Sequence, residues 1–539
     1  MRFKIIAFSI VLFFSIQYAS AITKYYFYVQ FANKNNTSFS LSNPSDYLSA
    51  RAIARRTAFN IPIDSTDLPV NQTYVNQISN LGHKVYCRSK WMNGITVLVT
   101  DSSLMSQIRN LSFVKWAKYT GKVDVAQAAP RKAKLPQTLN YGTSATQLNM
   151  VNASYLHNLG YTGKNIHVAV LDAGFLNASN NVGFDSLRLQ GRLLGTKDFT
   201  ELTPNIYGSD SHGANVLSIM TGNISNQYLG AAPHASFWLI RTEYAPTEYV
   251  SETDFWVSGI EFADSVGVDV VNSSLGYTTF DDPVLNYTYA NMNGTFSRAS
   301  RAATLAAKKG IIVCNSAGND GNKTWHYIGV PADAADIVTV GAAESTGIPS
   351  VFTSYGPTAD NRIKPDLSAM GTSTAYINTS GGLSSGNGTS YASPIMAGMF
   401  ACFLQYAKAN FNNFTIQSLI QSAKQSANLY TTPTDRLGYG IPNFQTACAF
   451  LPAMLDVIKQ TDKDIHVFQN NAAKLLIINT QNADNLTIAL YSLSGMLLHK
   501  STISNKQASI STAGFASGMY ILQVSGNGTS KTQKIVIGK

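Results

Sequence analysis

Between residues 141 and 450 the chain alternates short, near-continuous apolar runs with longer stretches in which apolar residues recur at helical spacing. Ile166 to Leu171, Ser236 to Arg241, Val268 to Asn272, Ile311 to Ser316 and Ile337 to Gly341 read as strands. His212 to Thr221, Asp254 to Ser265, Phe296 to Lys309 and Ser390 to about Tyr406 read as helices. Strands apolar on both faces belong to a parallel sheet covered by helices. The βαβ spacing predicts an α/β domain, a doubly wound parallel sheet with helices on both faces, over residues 144–452.

The flanks follow other periods. In 22–120, Tyr25 to Phe31, His83 to Cys87, Gly94 to Thr100 and Val114 to Lys118 read as strands. Leu48 to Thr57, with Arg51, Arg55 and Arg56 on its polar side, and Val70 to Leu81 read as helices, and Asp101 caps a short one reaching Asn110. A small α+β domain of β-α-β-β-α-β type is expected. In 455–539, Leu475 to Ile478, Leu486 to Tyr491, Met519 to Val524 and Thr532 to Ile537 are short strands between turns rich in Gly, Asn and Ser. That pattern predicts a small all-β sandwich. Its histidines, His466 and His499, have no acidic cluster nearby, so it reads as non-catalytic. Residues 121–143 lack periodicity; Ala128 to Pro136 is basic and carries two prolines, as suits an exposed linker open to cleavage.

The first 21 residues change where the chain is expected to act. Arg2 and Lys4 precede an apolar run from Ile5 to Ile16, and Ala19-Ser20-Ala21 follows. This is the layout of a secretory signal peptide cut after Ala21. The run is shorter than the roughly 20 residues a spanning helix needs. Cys87, Cys314, Cys402 and Cys448 are scattered among apolar or small neighbours. Buried free thiols are expected, with room for one disulfide, and no spacing suits zinc or a redox pair.

Net charge is +10 overall but unevenly held. Residues 22–140 carry 15 Lys and Arg against 5 Asp and Glu, residues 141–450 carry 15 against 21, and residues 451–539 carry 8 against 4. A nucleic-acid binder would need a basic face with reading elements, and here the basic part is a separate module beside an acidic one. Opposite charge on neighbouring modules suits docking between them.

Four places in the central module offer chemistry. Asp172 ends the apolar strand Val168 to Leu171, at the carboxyl end where α/β sheets hold their ligands. A cap or a metal ligand is the plainer account of such a carboxylate. His212 opens a helix and is followed by Gly213, which admits close backbone approach. His157, by contrast, reads as part of a helix surface, and His326 as structural. Asn319 tips the turn Ala317-Gly318-Asn319 after a strand, either as a turn residue or as an amide donor to an oxyanion. Ser390 starts a helix in Gly388-Thr389-Ser390-Tyr391-Ala392-Ser393-Pro394.

Taken together in the order Asp, His, Asn, Ser, these segments resemble the signatures of the subtilisin-like serine proteases. Ser273-Ser274-Leu275-Gly276 is similar to that family's substrate-binding strand, and Tyr355-Gly356-Pro357 and Lys364-Pro365-Asp366-Leu367 to landmarks before the nucleophile. The resemblance spans about residues 145–450. Asn215, Tyr391 and Ala173 depart from the common pattern, outside the inferred triad. The resemblance implies a secreted serine endopeptidase acting through an acyl-enzyme. In it Ser390 is the nucleophile, His212 the general base, Asp172 the orienting acid and Asn319 an oxyanion donor. It also implies that Ser274, Leu275 and Gly276 bind substrate as an added strand, and that Ser316, Ala317 and Gly318 line the main specificity pocket. No cofactor enters such chemistry. Structural calcium is common in the family, and Asp281-Asp282 offers carboxylates without fixing a ligand set.

The flanks add two resemblances. Leu48 to Arg56 and Ser89 to Asn93 are similar to the N-terminal region of subtilases of the Bacteroidetes, which implies an inhibitory, chaperone-like propeptide removed within 121–143. Leu490 to Gly495, Gly518 to Val524 and the ending Lys534 to Lys539 resemble the C-terminal sorting domain of the type IX secretion system. Together they imply passage through the periplasm and outer membrane to the cell surface or medium. The implied partners are peptide or protein substrates, the chain's own propeptide and the secretion machinery, with no nucleic acid and a monomeric mature enzyme. The competing readings are a catalytically silent binding protein on the same scaffold, and an esterase or amidase. All four catalytic positions are filled, which speaks against the first. The peptide-binding strand and the absence of a Gly-x-Ser-x-Gly elbow at Ser390 speak against the second.

Overall fold

The computed structural model describes residues 24–100, 102–123, 140–200, 205–452, 465–470, 474–480, 486–492, 496–503, 506–526 and 529–537. The expected signal peptide, Asp101 and most of the linker lie outside the described residues.

The N-terminal domain runs β1 (Lys24–Phe31), α1 (Ala50–Ala58), α2 (Gln72–Asn80), β2 (Lys84–Ser89), β3 (Gly94–Val99), α3 (Met105–Arg109) and β4 (Val114–Val123). It has one helix more than the expected β-α-β-β-α-β unit. Its antiparallel sheet is ordered β2-β3-β1-β4. Strand alternation gives β1 two jobs. Phe27, Val29 and Phe31 pack with Val75, Ile78 and Ile108 in the domain's own core. Tyr26 and Tyr28 face the central domain, where Tyr26 meets Phe255 edge-on at 5.5 Å. Helix α1 starts where Ser49 Oγ accepts the Ala52 amide.

The central domain follows as α4 (Ala145–Met150), α5 (Ala153–Asn158), β5 (His167–Asp172), α6 (Asp185–Leu189), β6 (Leu193–Asp198), α7 (His212–Thr221), β7 (Asn223–Ile224), β8 (Tyr228–Leu229), β9 (Ser236–Arg241), α8 (Val250–Ser265), β10 (Val270–Ser273), α9 (Arg298–Lys308), β11 (Ile312–Ser316), β12 (Val338–Ala343), β13 (Leu367–Met370), β14 (Thr374–Ile377), β15 (Leu383–Gly386), α10 (Thr389–Asn410) and α11 (Ile416–Gln425). Seven strands form one parallel sheet ordered β13-β12-β11-β10-β5-β9-β6. β10 is the middle strand with β5 beside it, and the direction of winding reverses between the two. Ligands of open α/β sheets bind at the carboxyl ends of strands at such a reversal. Strands β5, β10, β11 and β12 are buried on both faces, which is why they read as continuous apolar runs.

Two sheets make the C-terminal unit, β16 (Ile465–Asn470), β17 (Leu475–Thr480) and β20 (Gln507–Ser511) in one, and β19 (Leu497–Thr502), β18 (Thr487–Ser492), β21 (Gly518–Gly526) and β22 (Thr529–Ile537) in the other. Leu476, Ile478, Leu490, Leu522 and Ile535 share its core.

The N-terminal domain meets the central domain mainly along α8, and the contact is built from charge as much as from aromatic packing. Asp264, with a fully buried side chain, is held by Arg55, by Arg56 at 2.9 Å and by Lys90 at 3.3 Å. Arg51 and Lys408 share Asp269. Glu261 accepts from Ser89 Oγ at 2.6 Å and from the amides of Lys90 and Trp91 at 2.7 and 3.1 Å. Arg298 Nε donates to Asp254 at 2.6 Å while its guanidinium lies over the Tyr28 ring. In return, Lys309 of the central domain pairs with Asp67 at 2.7 Å. Burial by itself raises the Asp264 pKa, but Lys90, Arg55 and Arg56 pull it down to about 2.

All four cysteines are free and buried. His157 corrects the surface reading: it is 3% exposed, bonded through Nδ1 to Tyr141 Oη at 2.8 Å and through Nε2 to the Ala231 carbonyl at 3.0 Å.

Candidate active site

Asp172 closes the interior strand β5 and is fully buried. Its Oδ1 accepts the Ala173 amide at 2.8 Å and lies 2.8 Å from His212 Nδ1. A carboxylate leaving an apolar strand needs such partners to offset its desolvation. His212 is the first residue of α7, and Gly213 lets that helix come so close. A Cβ on Gly213 would stand 2.4 Å from the Gly174 carbonyl oxygen and 2.8 Å from Asp172 Cβ. The Asp210 carboxylate accepts the His212 amide at 2.7 Å and fixes the turn into the helix.

Ser390 occupies the first turn of α10. Pro394, four residues on, has no N–H for the Ser390 carbonyl. Ser274 Oγ donates to that carbonyl at 3.0 Å, and Ser390 Oγ donates back to the Ser274 carbonyl at 3.2 Å. Beneath them Asn272 Nδ2 donates to Ser274 Oγ at 3.1 Å, and Ser393 Oγ donates to Asn272 Oδ1 at 2.8 Å. The hydroxyl thus rests on the Ser274 carbonyl. Asn272 and Ser393 were not singled out in the sequence. Neither carries a pattern of its own, and only Pro394 signals that a carbonyl needs another donor.

Asn319 follows β11 in the turn foreseen for it. Its Oδ1 accepts both the Thr389 amide, at 2.9 Å, and Thr389 Oγ1, at 3.0 Å. The amide is thereby locked with Nδ2 turned away from Thr389. A Cβ built on Gly388 would lie 3.8 Å from Asn319 Nδ2 and 3.6 Å from the Ser390 amide nitrogen, so both donors come together over Gly388.

A cleft of about 380 Å³ gathers His212, Ser390, Asn319, Ser274, Leu275, Gly276, Ser316, Ala317 and Gly318, with Asp172 behind His212. The same cleft is walled by Glu243, Glu248 and Glu252, which the sequence reading passed over. One ligand oxygen from each lies within 4.8 Å of the others, so this cluster can hold a metal ion. The Asp281-Asp282 pair serves the backbone instead: Asp281 accepts the Glu248 amide at 3.1 Å and Asp282 the Val284 amide at 3.2 Å. The glutamates fall at no motif spacing, since Glu243 follows β9 while Glu248 and Glu252 straddle the start of α8.

Electrostatics set the site apart. Burial lowers the pKa of His212, but the Asp172 charge and hydrogen bond, with Asp210 and Glu243, outweigh it and leave the imidazole above its ordinary value. Burial, with the Asp172 charge, pushes Glu243 up to about 7 against the hydrogen bonds it makes with Glu252 and the Tyr277 hydroxyl, and burial with the charges of Glu243 and Asp281 pushes Glu248 to about 8. Glu252 is raised as well, by burial and then by Glu243 and Glu248.

Comparison with known proteins adds the following. Residues 163–440 match the profile described as the subtilase family, residues 26–137 that of the peptidase S8 propeptide domain of Bacteroidota, and residues 466–538 that of the secretion-system C-terminal sorting domain. The chain is 26% identical over 373 residues to subtilisin NAT of Bacillus subtilis subsp. natto, covering 69% of this chain and 84% of that protein. It is 27% identical over 314 residues to the subtilisin of Bacillus pumilus, covering 58% and 99%. Among solved structures, MycP1 from the ESX-1 type VII secretion system aligns with a TM-score of 0.45 and 18% identity, covering 60% of this chain and 90% of that one.

Proposed function

Because the chain belongs to the subtilase family, we propose that Asp172, His212, Asn319 and Ser390 are the residues with which this serine-type endopeptidase hydrolyses peptide bonds. Ser390 Oγ attacks the scissile carbonyl as His212 Nε2 takes its proton. Asp172 stays ionised, holding Nδ1 and stabilising the imidazolium. The tetrahedral oxyanion is met by Asn319 Nδ2 and the Ser390 amide. Collapse expels the amine, which receives the proton from His212, and leaves an acyl-enzyme. Water, deprotonated by His212, then releases the acid and restores Ser390.

The observation that carries this reading is the 2.8 Å contact of His212 Nδ1 with the buried Asp172, in a cleft that also holds Ser390 and an amide locked by Thr389. The substrate lies as an added strand along Ser274, Leu275 and Gly276, and Ser316, Ala317 and Gly318 line the pocket for the residue before the scissile bond. We place the propeptide in 22–120, its removal within 121–143, the protease in 144–452 and the sorting domain in 455–539. The route is type IX secretion to the surface or medium, and the mature enzyme is a monomer without nucleic-acid partners. The chemistry uses no cofactor, and a structural calcium ion is one occupant that Glu243, Glu248 and Glu252 suit chemically.

Casein hydrolysis by wild type and Ser390→Ala tests the mechanism. The variant is expected to lose about 10⁶-fold in kcat and to escape labelling by a serine-directed covalent inhibitor. Equal turnover by the two proteins overturns the assignment.

A further inference from the structure

Strands β10 and β11 run together as far as the pair Ser273 and Asn315, the last rung between them. Beyond it they part. Ser274, Leu275 and Gly276 then stand on one side of the cleft, and Ser316, Ala317 and Gly318 on the other. Each wall is fastened along its outer side. Ser316 keeps its register with Val340 of β12, whose carbonyl accepts the Ala317 amide at 2.9 Å. Past Gly276, Tyr277 exchanges amide–carbonyl bonds with Val330 at 2.8 and 3.1 Å. A pocket for a side chain requires such a parting, because strands in a ladder lie about 4.8 Å apart. The parting also takes ladder partners from the carbonyls that face the gap, and a buried carbonyl needs a donor.

Asn315 sits at the fork and is fully buried. Its Nδ2 donates across the gap to the Leu275 carbonyl at 3.1 Å and to the Ser316 carbonyl at 2.9 Å. Two carbonyls facing one end of the amide identify that end as the nitrogen, and both of its N–H groups are used. Oδ1 is buried as well and accepts no hydrogen bond. Filling space alone would favour an apolar side chain of this size. What the amide adds is a link between the two walls, and the mechanism gives Asn315 no other task.

We propose that Asn315 is a positioning residue that fixes the width of the pocket for the side chain before the scissile bond. The inference rests on the proteolytic reading above. The amide holds Leu275 and Ser316 at one spacing, so the fit of a side chain between the walls is sharply graded. Without the two N–H groups the carbonyls must find other donors, and the walls settle at another spacing. A peptide with glycine at that position uses only the added strand and is indifferent to the width. The Ser390 hydroxyl rests on the carbonyl of Ser274, next to Leu275, so some loss of turnover falls on all substrates alike. The ratio between substrates is what reports on the pocket.

The test uses the full chain after its own maturation. Fluorogenic peptides are made identical except for Gly, Ala, Leu or Phe immediately before the scissile bond. Wild type is expected to prefer one of the side chains over Gly in kcat/KM. In Asn315→Leu, which keeps the volume and loses both N–H groups, that ratio is expected to fall roughly tenfold, the scale of about one methylene of misfit in a pocket. An unfolded fraction scales every kcat/KM alike, so a merely structural role leaves the ratio unmoved. Asn315→Ser, whose hydroxyl can answer one of the two carbonyls, is expected to lie between, and it is read in the same way if the leucine variant fails to mature. A ratio within a factor of two of wild type in the variant that matures overturns the proposal, and so does a wild type that treats Gly and all three side chains alike. Peptide hydrolysis that persists in Ser390→Ala marks the separate failure of the protease reading.

Discussion

Helix α8 presents carboxyl groups to two surroundings that treat charge in opposite ways. Towards the N-terminal domain, Asp254, Glu261 and Asp264 are buried and answered from across the contact by Thr96, by Ser89 and the Lys90 and Trp91 amides, and by Arg55, Arg56 and Lys90. Towards the cleft, Glu252 has Glu243 and Glu248 for neighbours. The outcome for acidity follows. Asp264, ringed by three cations, sits at about 2, whereas Glu261, met by Ser89 and backbone amides, is raised by burial to about 7, as Glu243 and Glu248 are to about 7 and 8, so the cations rather than the contact itself hold Asp264 down. A surface that must hold its partner completes its charges within the fold. On the cleft side the acids are met by neutral groups and by one another: Glu243 accepts the Tyr277 hydroxyl and bonds with Glu252.

The largest expected effect breaks the contact side. Asp264→Ala strands Arg55, Arg56 and Lys90 around an empty position, and removing one member of a buried charge group costs about 3–5 kcal/mol. Urea unfolding checks this in a Ser390→Ala background, which keeps the chain uncut. On the cleft side, Glu252→Gln in the same background is expected to change stability by less than about 1 kcal/mol, because it relieves like charge instead of creating it. Equal losses for the two would erase the distinction.

Next comes a change that should move catalysis more than stability. Asn319→Ala removes a donor that the resting structure uses only through its oxygen, on Thr389. Loss of such an oxyanion donor costs about 10²–10³ in kcat. Stability is expected to fall by about 1–3 kcal/mol, because the buried Thr389 amide loses its acceptor, while kcat measured on the folded enzyme carries the larger loss. A kcat within a factor of two of wild type would place Asn319 among structural turn residues.

Much of this division was legible in the sequence, and its limits have physical causes. His212 to Thr221 and Ser236 to Arg241 emerge as elements with the bounds they were assigned, because apolar period and small residues mark both ends. The charge contrast between the first two modules foretold docking, and Arg51, Arg55 and Arg56, read as a polar helix face, make that contact. α8 begins at Val250 rather than Asp254 because Glu252 and Thr253, polar in sequence, are buried in its first turn. Edge strand β6 went unread, being only half-buried and carrying Gly195, Lys197 and Asp198. The glutamate wall was hidden for another reason. Its members come from the end of a strand, a loop and a helix start, and only folding makes them neighbours.

The smallest expected effect links the cleft's charge to pH. With His212 held above its ordinary pKa of 6.5, chiefly by Asp172 against the opposing effect of burial, the neutral base is lost on acidification at a pH above 6.5. The acid limb of kcat/KM is expected there. Glu243 also helps to raise His212, so Glu243→Gln should shift the limb to lower pH, by less than about one unit. Stability runs the other way. A group whose pKa is raised on folding contributes fully below its unfolded value, and the contribution fades as pH rises through the folded one. The His212–Asp172 pair therefore stabilises the fold most in the acid range where the enzyme is least active. A pH–rate profile for wild type and Glu243→Gln, beside melting temperatures over the same range, checks both signs. An acid limb below 6.5 in wild type, or one that Glu243→Gln moves upward, would mean that the cleft's acids do not reach the catalytic base.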